Sequence, residues 1–248
     1  STPKSPTFAG CFSTDGYTHD VQCVAYTGPD DDYQGAEICF ASNEDSLTII
    51  NVSNKNAPVM LGKTDYPSIG YSHQGWLDQD QGMFFMGDEL DELNFGMNTR
   101  TLMFDVSDLD NPAYAGAHLH GTSSIDHNLY IKGSYIYQAN YHAGLKILRI
   151  NRGKSTTLTE VGFFDTHPDD DSLDFGGAWN VYPFFDNGTI LVSDINAGLF
   201  VLRASLGDDA AEIAPINGRL SGVWISEGLN DQGITLNVGE DDSGPFIF

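Results

Sequence analysis

The chain repeats itself. A histidine followed by a polar residue stands at His19-Asp20, His73-Gln74 and His127-Asn128, and Trp179-Asn180 takes the same place a fourth time. The intervals are 54, 54 and 52 residues, and each pair opens a β-like run: Val21-Gln-Cys-Val24, Gly75-Trp-Leu77, Leu129-Tyr-Ile131 and Val181-Tyr-Pro-Phe184. A fixed period of this length marks a repeat architecture and outranks any element-by-element reading. Within each unit a second run ends in a polar group: Ser42-Asn43-Glu44, Gly87-Asp88-Glu89, Ala139-Asn140-Tyr141 and Ser193-Asp194-Ile195. A third run is aliphatic, and an Asn or Pro turn leads to a short outer run such as Val59-Met-Leu-Gly62 or Ala113-Tyr-Ala-Gly116. Four strands per unit, with glycine and asparagine turns and no helical period, predict an all-β chain, a β-propeller of four-stranded blades. A β-sandwich also spaces short strands regularly, but it does not normally repeat one polar pair at one point of every unit.

The register sets the domain plan. Residues 1–18 are expected to be the outer strand of a preceding blade (Ser5 to Gly10) and a lead-in. Residues 19–205 form four blades, at about 19–71, 72–125, 126–177 and 178–205. Residues 206–248 read as a linker and the start of a C-terminal β module, with β-like sequence from Ser221-Gly-Val-Trp224. Both ends fall in mid-pattern, so the chain is expected to be a fragment whose two raw blade faces are covered by missing N-terminal blades or by another subunit.

These repeats resemble the LVIVD-repeat propellers, in particular the choice-of-anchor B family of secreted bacterial proteins. The resemblance rests on Pro6-Thr-Phe-Ala-Gly-Cys-Phe12, Gly16-Tyr-Thr-His-Asp20, Tyr71-Ser-His-Gln-Gly-Trp76, Asp88-Glu-Leu-Asp-Glu-Leu-Asn-Phe-Gly96, Ile125-Asp-His-Asn128 and Tyr137-Gln-Ala-Asn-Tyr141. It implies three further blades upstream in a seven-bladed ring, export, and attachment at the cell surface. It implies no activity, because that family is defined by architecture.

Eleven Lys and Arg stand against 35 Asp and Glu, a net charge of −24. Coulomb repulsion disfavours nucleic acid and anionic membrane surfaces as partners, and no apolar run is long enough to insert in a bilayer. Cys23 and Cys39 lie in adjacent β-like runs, and neighbouring antiparallel strands bring such a pair within disulfide reach. A Cys23–Cys39 bond and an oxidising, extracellular setting are therefore expected, two buried free thiols being the alternative; Cys11 is left over.

In a propeller blade the start of the first strand and the end of the second share one mouth of the central channel. That rule gathers His19, Asp20, Glu44, His73, Asp88, Glu89, His127 and Asp194 as candidate ligands for a divalent cation. Oxygen ligands favour Ca²⁺, the first expectation, and the imidazoles favour a transition metal, the second. Polar pairs that merely hydrogen-bond neighbouring blades are the competing explanation. Tyr71, Trp76, Tyr141 and Trp179 are the aromatics near enough to stack on a ligand. The loop Asp88 to Asn94 is either a second calcium-binding element or a solvated acidic face. Signatures for a serine hydrolase elbow, a phosphate-binding loop or a zincin helix are missing, so the reading is a binding or scaffolding module, with a metal-dependent hydrolase or lyase as its rival.

Overall fold

The computed structural model describes residues 4–206 and four short strands beyond them. The chain divides into two compact units, Ser1–Ala204 and Ser205–Phe248. In the second unit, Gly222–Ile225 (β16) pairs with Gly233–Leu236 (β17), and Val238–Asp241 (β18) with Gly244–Ile247 (β19).

The first unit carries four antiparallel sheets in sequence. Blade one runs β1 Asp20–Ala25, β2 Glu37–Ser42, β3 Leu47–Asn51 and β4 Val59–Thr64. Blade two runs β5 Ser72–Leu77, β6 Met83–Asp88, β7 Arg100–Asp105 and β8 Ala113–Leu119. Blade three runs β9 Leu129–Lys132, β10 Tyr135–Ala139, β11 Leu145–Asn151 and β12 Thr157–Phe164. The fourth sheet has three strands, β13 Ala178–Tyr182, β14 Thr189–Asp194 and β15 Gly198–Arg203. Each first strand lies beside the next sheet's first strand, β1 by β5, β5 by β9 and β9 by β13, which is how blades line a common axis.

Blade two buries both of its faces, and period-two alternation decides which side chain goes where. Phe84 and Met86 of β6 pack toward blade one, against Phe40, Leu47 and Ile49. Their neighbour Phe85 points the other way, joining Leu129, Ile136 and Leu148 of blade three. Hence the second and third runs of blade two read as near-continuous apolar sequence.

A β-bulge recurs at one place in three blades. Ile49 and Ile50 face Gly62 and Met60, Met103 and Phe104 face Gly116 and Tyr114, and Ile147 and Leu148 face Gly162 and Glu160. One extra residue in each outer strand, Leu61, Ala115 or Val161, is followed by a glycine, and the added twist turns the outer edge away from its neighbours. At Gly62 a Cβ would lie 2.3 Å from the Pro112 ring, so close blade packing requires a glycine there.

Two expectations are corrected. The stretch Ser5 to Gly10 forms no strand and is largely exposed. The lead-in instead crosses the free face of blade one, where Phe12 packs on Cys39, Ala41 and Ile50. Asp15 accepts hydrogen bonds there from Asn43 (2.9 Å) and Thr48, and pairs with Lys63 at 2.6 Å. The acidic loop of blade two is likewise no solvated face, for it contains a short helix, α1 Asp91–Phe95, whose Asp91 and Glu92 are buried.

Cys23 and Cys39 are directly opposed in the β1–β2 register and form the expected disulfide. The bond closes a loop spanning a separation of 16 residues, and constraining so short a loop stabilises by about 2–3 kcal/mol. The Cys23→Ser/Cys39→Ser variant should lose that amount in urea unfolding, and an unchanged midpoint would contradict it. Cys11 is free and exposed. Among the described residues no helix is long and apolar enough to cross a membrane.

Candidate functional site

The strand pairings put the predicted ends together: Asp20 opposes Ser42, Ser72 opposes Asp88 and Ala178 opposes Asp194. At this mouth the residues that open the four inner strands form a row. The rings of His19 and His73 are 4.3 Å apart, those of His73 and His127 4.4 Å, and those of His127 and Trp179 5.2 Å.

Side chains of one inner strand bond the backbone of the next. His19 Nδ1 donates to the His73 carbonyl at 2.9 Å, and His127 Nδ1 donates to the Trp179 carbonyl. Gln22 accepts from Leu77 N at 2.7 Å, and Gln74 both accepts from Leu129 N (2.8 Å) and donates to its carbonyl (3.0 Å). Inner strands that diverge around an axis cannot share a ladder, so side-chain amides and imidazoles stand in for one. The inter-blade explanation for the polar pairs therefore describes part of what they do.

It does not describe the other edges of the rings. Donation from Nδ1 fixes the neutral tautomer of His127 and leaves Nε2 as a lone pair turned toward Glu89. His73 Nε2 lies 3.6 Å from Glu89 Oε2, and His127 Nε2 lies 3.6 Å from Glu89 Oε1. Both separations exceed hydrogen-bond reach, so the carboxylate stands off from each ring by about one ligand-to-ligand distance. The ligand atoms of His73, Glu89 and His127 all lie within 4.8 Å of one another. Tyr141 donates to Glu89 Oε1 at 2.8 Å and holds it from behind. Burial, with the neighbouring imidazoles, pushes His73 down to about 2, and burial pushes His127 down to about 4, so both rings are neutral near pH 7. Burial raises the Glu89 carboxyl.

The other predicted residues part company. His19 extends the row but lies outside the close group, and Tyr71 packs edge-on against it at 5.3 Å. Glu44 is exposed, with its backbone bridged to Ser72. Asp20 is half-buried, its carboxyl raised by that burial. Asp88 and Asp194 are turn braces. Asp88 accepts from Tyr66 Oη (2.8 Å) and from the amides of Gly70 (2.7 Å), Tyr71 (2.5 Å) and Leu90 (3.2 Å), while Asp194 accepts from Asn196 N (2.8 Å) and Ala197 N (2.7 Å). Trp76 packs between blades against Tyr130 and Phe184, away from the row, while Tyr141 and Trp179 flank His127.

Two further groups stand apart from the mouth, the second drawing on the Asp88–Asn94 loop already read as a possible calcium-binding element, and Asp30, Asp108 and Asp110 gather nearer the surface. His142, His167 and Asp170 gather at the start of the loop before β13, with His142 Nδ1 2.9 Å from Asp170 Oδ1. Asp91, Glu92 and Asp126 gather in the interior.

No protein-family model and no curated protein matches the sequence. Solved structures do. A periplasmic gluconolactonase from Pseudomonas aeruginosa superposes over 77% of this chain and 51% of its own, with a TM-score of 0.56 and 13% identity. A Lactobacillus plantarum protein superposes over 67% of this chain and 53% of its own, with a TM-score of 0.50 and 13% identity. The fold is a β-propeller. This chain spans about half the length of each of these propellers. At 13% identity the likeness extends to the fold alone.

Proposed function

We propose that the chain is part of an exported propeller that acts as a binding module, with a divalent transition-metal ion held at the channel mouth by His73, His127 and Glu89. The observation that carries this reading is the pair of neutral imidazole Nε2 atoms set 3.6 Å from the two oxygens of one carboxylate. Ligands about 2.1 Å from a tetrahedral ion stand roughly 3.4 Å from one another. Two nitrogens and one carboxylate favour zinc or a similar metal over Ca²⁺, which reverses the preference drawn from the sequence. The backbone carbonyl behind His127 and the Tyr141 hydroxyl behind Glu89 are outer partners of the kind such ligands use, while His73 Nδ1 has none among the described residues.

Export is supported by the disulfide, and one fold neighbour is periplasmic by name. Exposed Ile195, Leu199 and Val201 along the fourth sheet support completion of the ring by further blades, in this polypeptide or a partner. The choice-of-anchor B resemblance belongs with this reading. A metal-dependent hydrolase is the second reading. Three protein ligands leave a coordination position open, as catalytic sites do, and one fold neighbour is named a gluconolactonase.

Metal-stripped protein titrated with Co²⁺ should take up about one equivalent with the intense visible bands of a tetrahedral nitrogen–oxygen site, and Zn²⁺ should displace it. His73→Gln and His127→Gln should each weaken binding by on the order of 100-fold. Absence of those bands, or affinity unchanged in both variants, would remove the site. Lactone hydrolysis by the Zn²⁺-loaded protein, lost in His127→Gln, would favour the second reading.

A further inference from the structure

The interior cluster behind this mouth has no account in blade packing. Asp91 and Glu92 come from α1 of blade two, and Asp126 from the segment leading into β9 of blade three. All three are completely buried, and each offers an oxygen within 4.8 Å of the others.

Arg100 of β7 is the cation paired with them among the described residues, and it is spent on one atom: its Nε lies 2.6 Å from Asp91 Oδ2 and its other nitrogens donate to the Pro67 and Ser68 carbonyls. Asp91 Oδ1 and all four oxygens of Glu92 and Asp126 are left without a donor. Native interiors do not ordinarily carry five bare carboxylate oxygens, since each unpaired charge costs several kcal/mol. The nearby Asp88 cannot relieve them, because its own lone pairs are filled by four donors.

The backbone makes room for this arrangement. Position 87 is glycine, and a Cβ there would lie 1.9 Å from Asp126 Oδ2. In the other units the residue before the row is Thr18, Ser72 or Ala178; only the third places a carboxylate there.

We propose that Asp91, Glu92 and Asp126 form a buried Ca²⁺ site that clamps the α1 loop of blade two to the inner strand of blade three. Three carboxylates less one guanidinium leave two negative charges, which a divalent cation neutralises. The donors are all oxygen, which selects a hard ion and excludes the preferences of the histidine site. Of the hard ions, Ca²⁺ accepts an irregular shell completed by carbonyls or water, whereas Mg²⁺ demands a near-ideal octahedron. The site is distinct from the channel mouth, although Glu89 sits between Asp88 and this loop, so the clamp also steadies that ligand.

The test uses the full chain. Elemental analysis of untreated protein should find about one Ca²⁺, released slowly to EGTA because the oxygens are sealed from solvent. Re-addition of Ca²⁺ alone should raise the melting temperature of the stripped protein in a saturable way. Asp126→Asn and Glu92→Gln should each weaken Ca²⁺ binding by on the order of 100-fold, the scale on which ligand charge tunes such sites. Asp126→Asn relieves repulsion, so its metal-free form should melt no lower than the metal-free wild type, which separates ligand loss from misfolding. His73→Gln should keep the full Ca²⁺ response, so failure at the channel mouth does not bear on this site. A stripped protein whose melting ignores Ca²⁺ would overturn the proposal, and so would a response that persists in both carboxylate variants.

Discussion

Arg100→Met should cost the metal-free protein about 3–5 kcal/mol, one of the two largest effects expected here. The guanidinium is almost wholly buried and supplies hydrogen bonds to Asp91 and to the Pro67 and Ser68 carbonyls, while methionine replaces only its volume. Removing one partner of a buried ion pair strands the other, here the Asp91 carboxylate. Burial and mutual repulsion already hold the Glu92 and Asp126 carboxyls well above the ordinary range. Urea unfolding in EGTA reads the cost, and Asp91→Asn/Arg100→Met should regain part of it. A loss below about 1 kcal/mol, the value of an exposed pair, would mean that water reaches this interior.

The second large effect is acid destabilisation through His120. This ring is buried, its Nε2 lies 2.9 Å from Thr101 Oγ1, and that hydroxyl donates onward to Gln138 Oε1 at 2.7 Å. A hydroxyl has one proton, so His120 must be the donor through Nε2, leaving Nδ1 bare and unpartnered. Burial first, then the charges of His118 and Lys146, push its pKa down to about 3. The unfolded chain takes up this proton near pH 6.5 and the folded chain does not until about pH 3. Between those values the unfolded state binds more protons, so stability falls as pH falls. The contribution is about 1.4 kcal/mol per pH unit, on the order of 3 kcal/mol by about pH 4. His120→Gln keeps the donor to Thr101 but cannot titrate, so its stability should decline less steeply by roughly one proton. Parallel slopes for the two proteins would refute this account.

The repeat made the blades legible because four units reported the same register independently. Strand order and the shared mouth followed from placing His19, His73 and His127 at one point of each unit, and the Cys23–Cys39 bond from two adjacent β-like runs. The site was legible only in part. Asp88 and Asp194 had the right location, but their oxygens accept from turn amides, because adjacent residues of a strand end point to opposite sides. Asp88 and Asp194 occupy one repeat position and turn inward to brace a loop; Glu89, one residue on, turns to the channel. Aligning the units by function rather than by sequence type would have separated them. Asp126 carried a readable signal, as the one carboxylate at a place held elsewhere by threonine, serine or alanine. The burial of Asp91 and Glu92 had none, because an acidic pentapeptide reads alike on a surface and around an ion. The lead-in departs from the repeat: Ser5 to Gly10 has strand composition but forms no strand, because β-propensity alone does not make one.

The side chains that cross from one inner strand to the next give the ring a grammar of junctions. Gln22 completes Leu77, Gln74 completes Leu129 and His127 completes Trp179, so no blade contains all the bonds that hold it. The smallest transplantable piece is thus a joint rather than a blade. A graft cut at the loops between sheets would carry two severed halves, whereas one cut in mid-blade, between a second and a third strand, would carry a joint intact. Duplication and permutation in such a ring are therefore best tolerated out of step with the blades that the eye picks out.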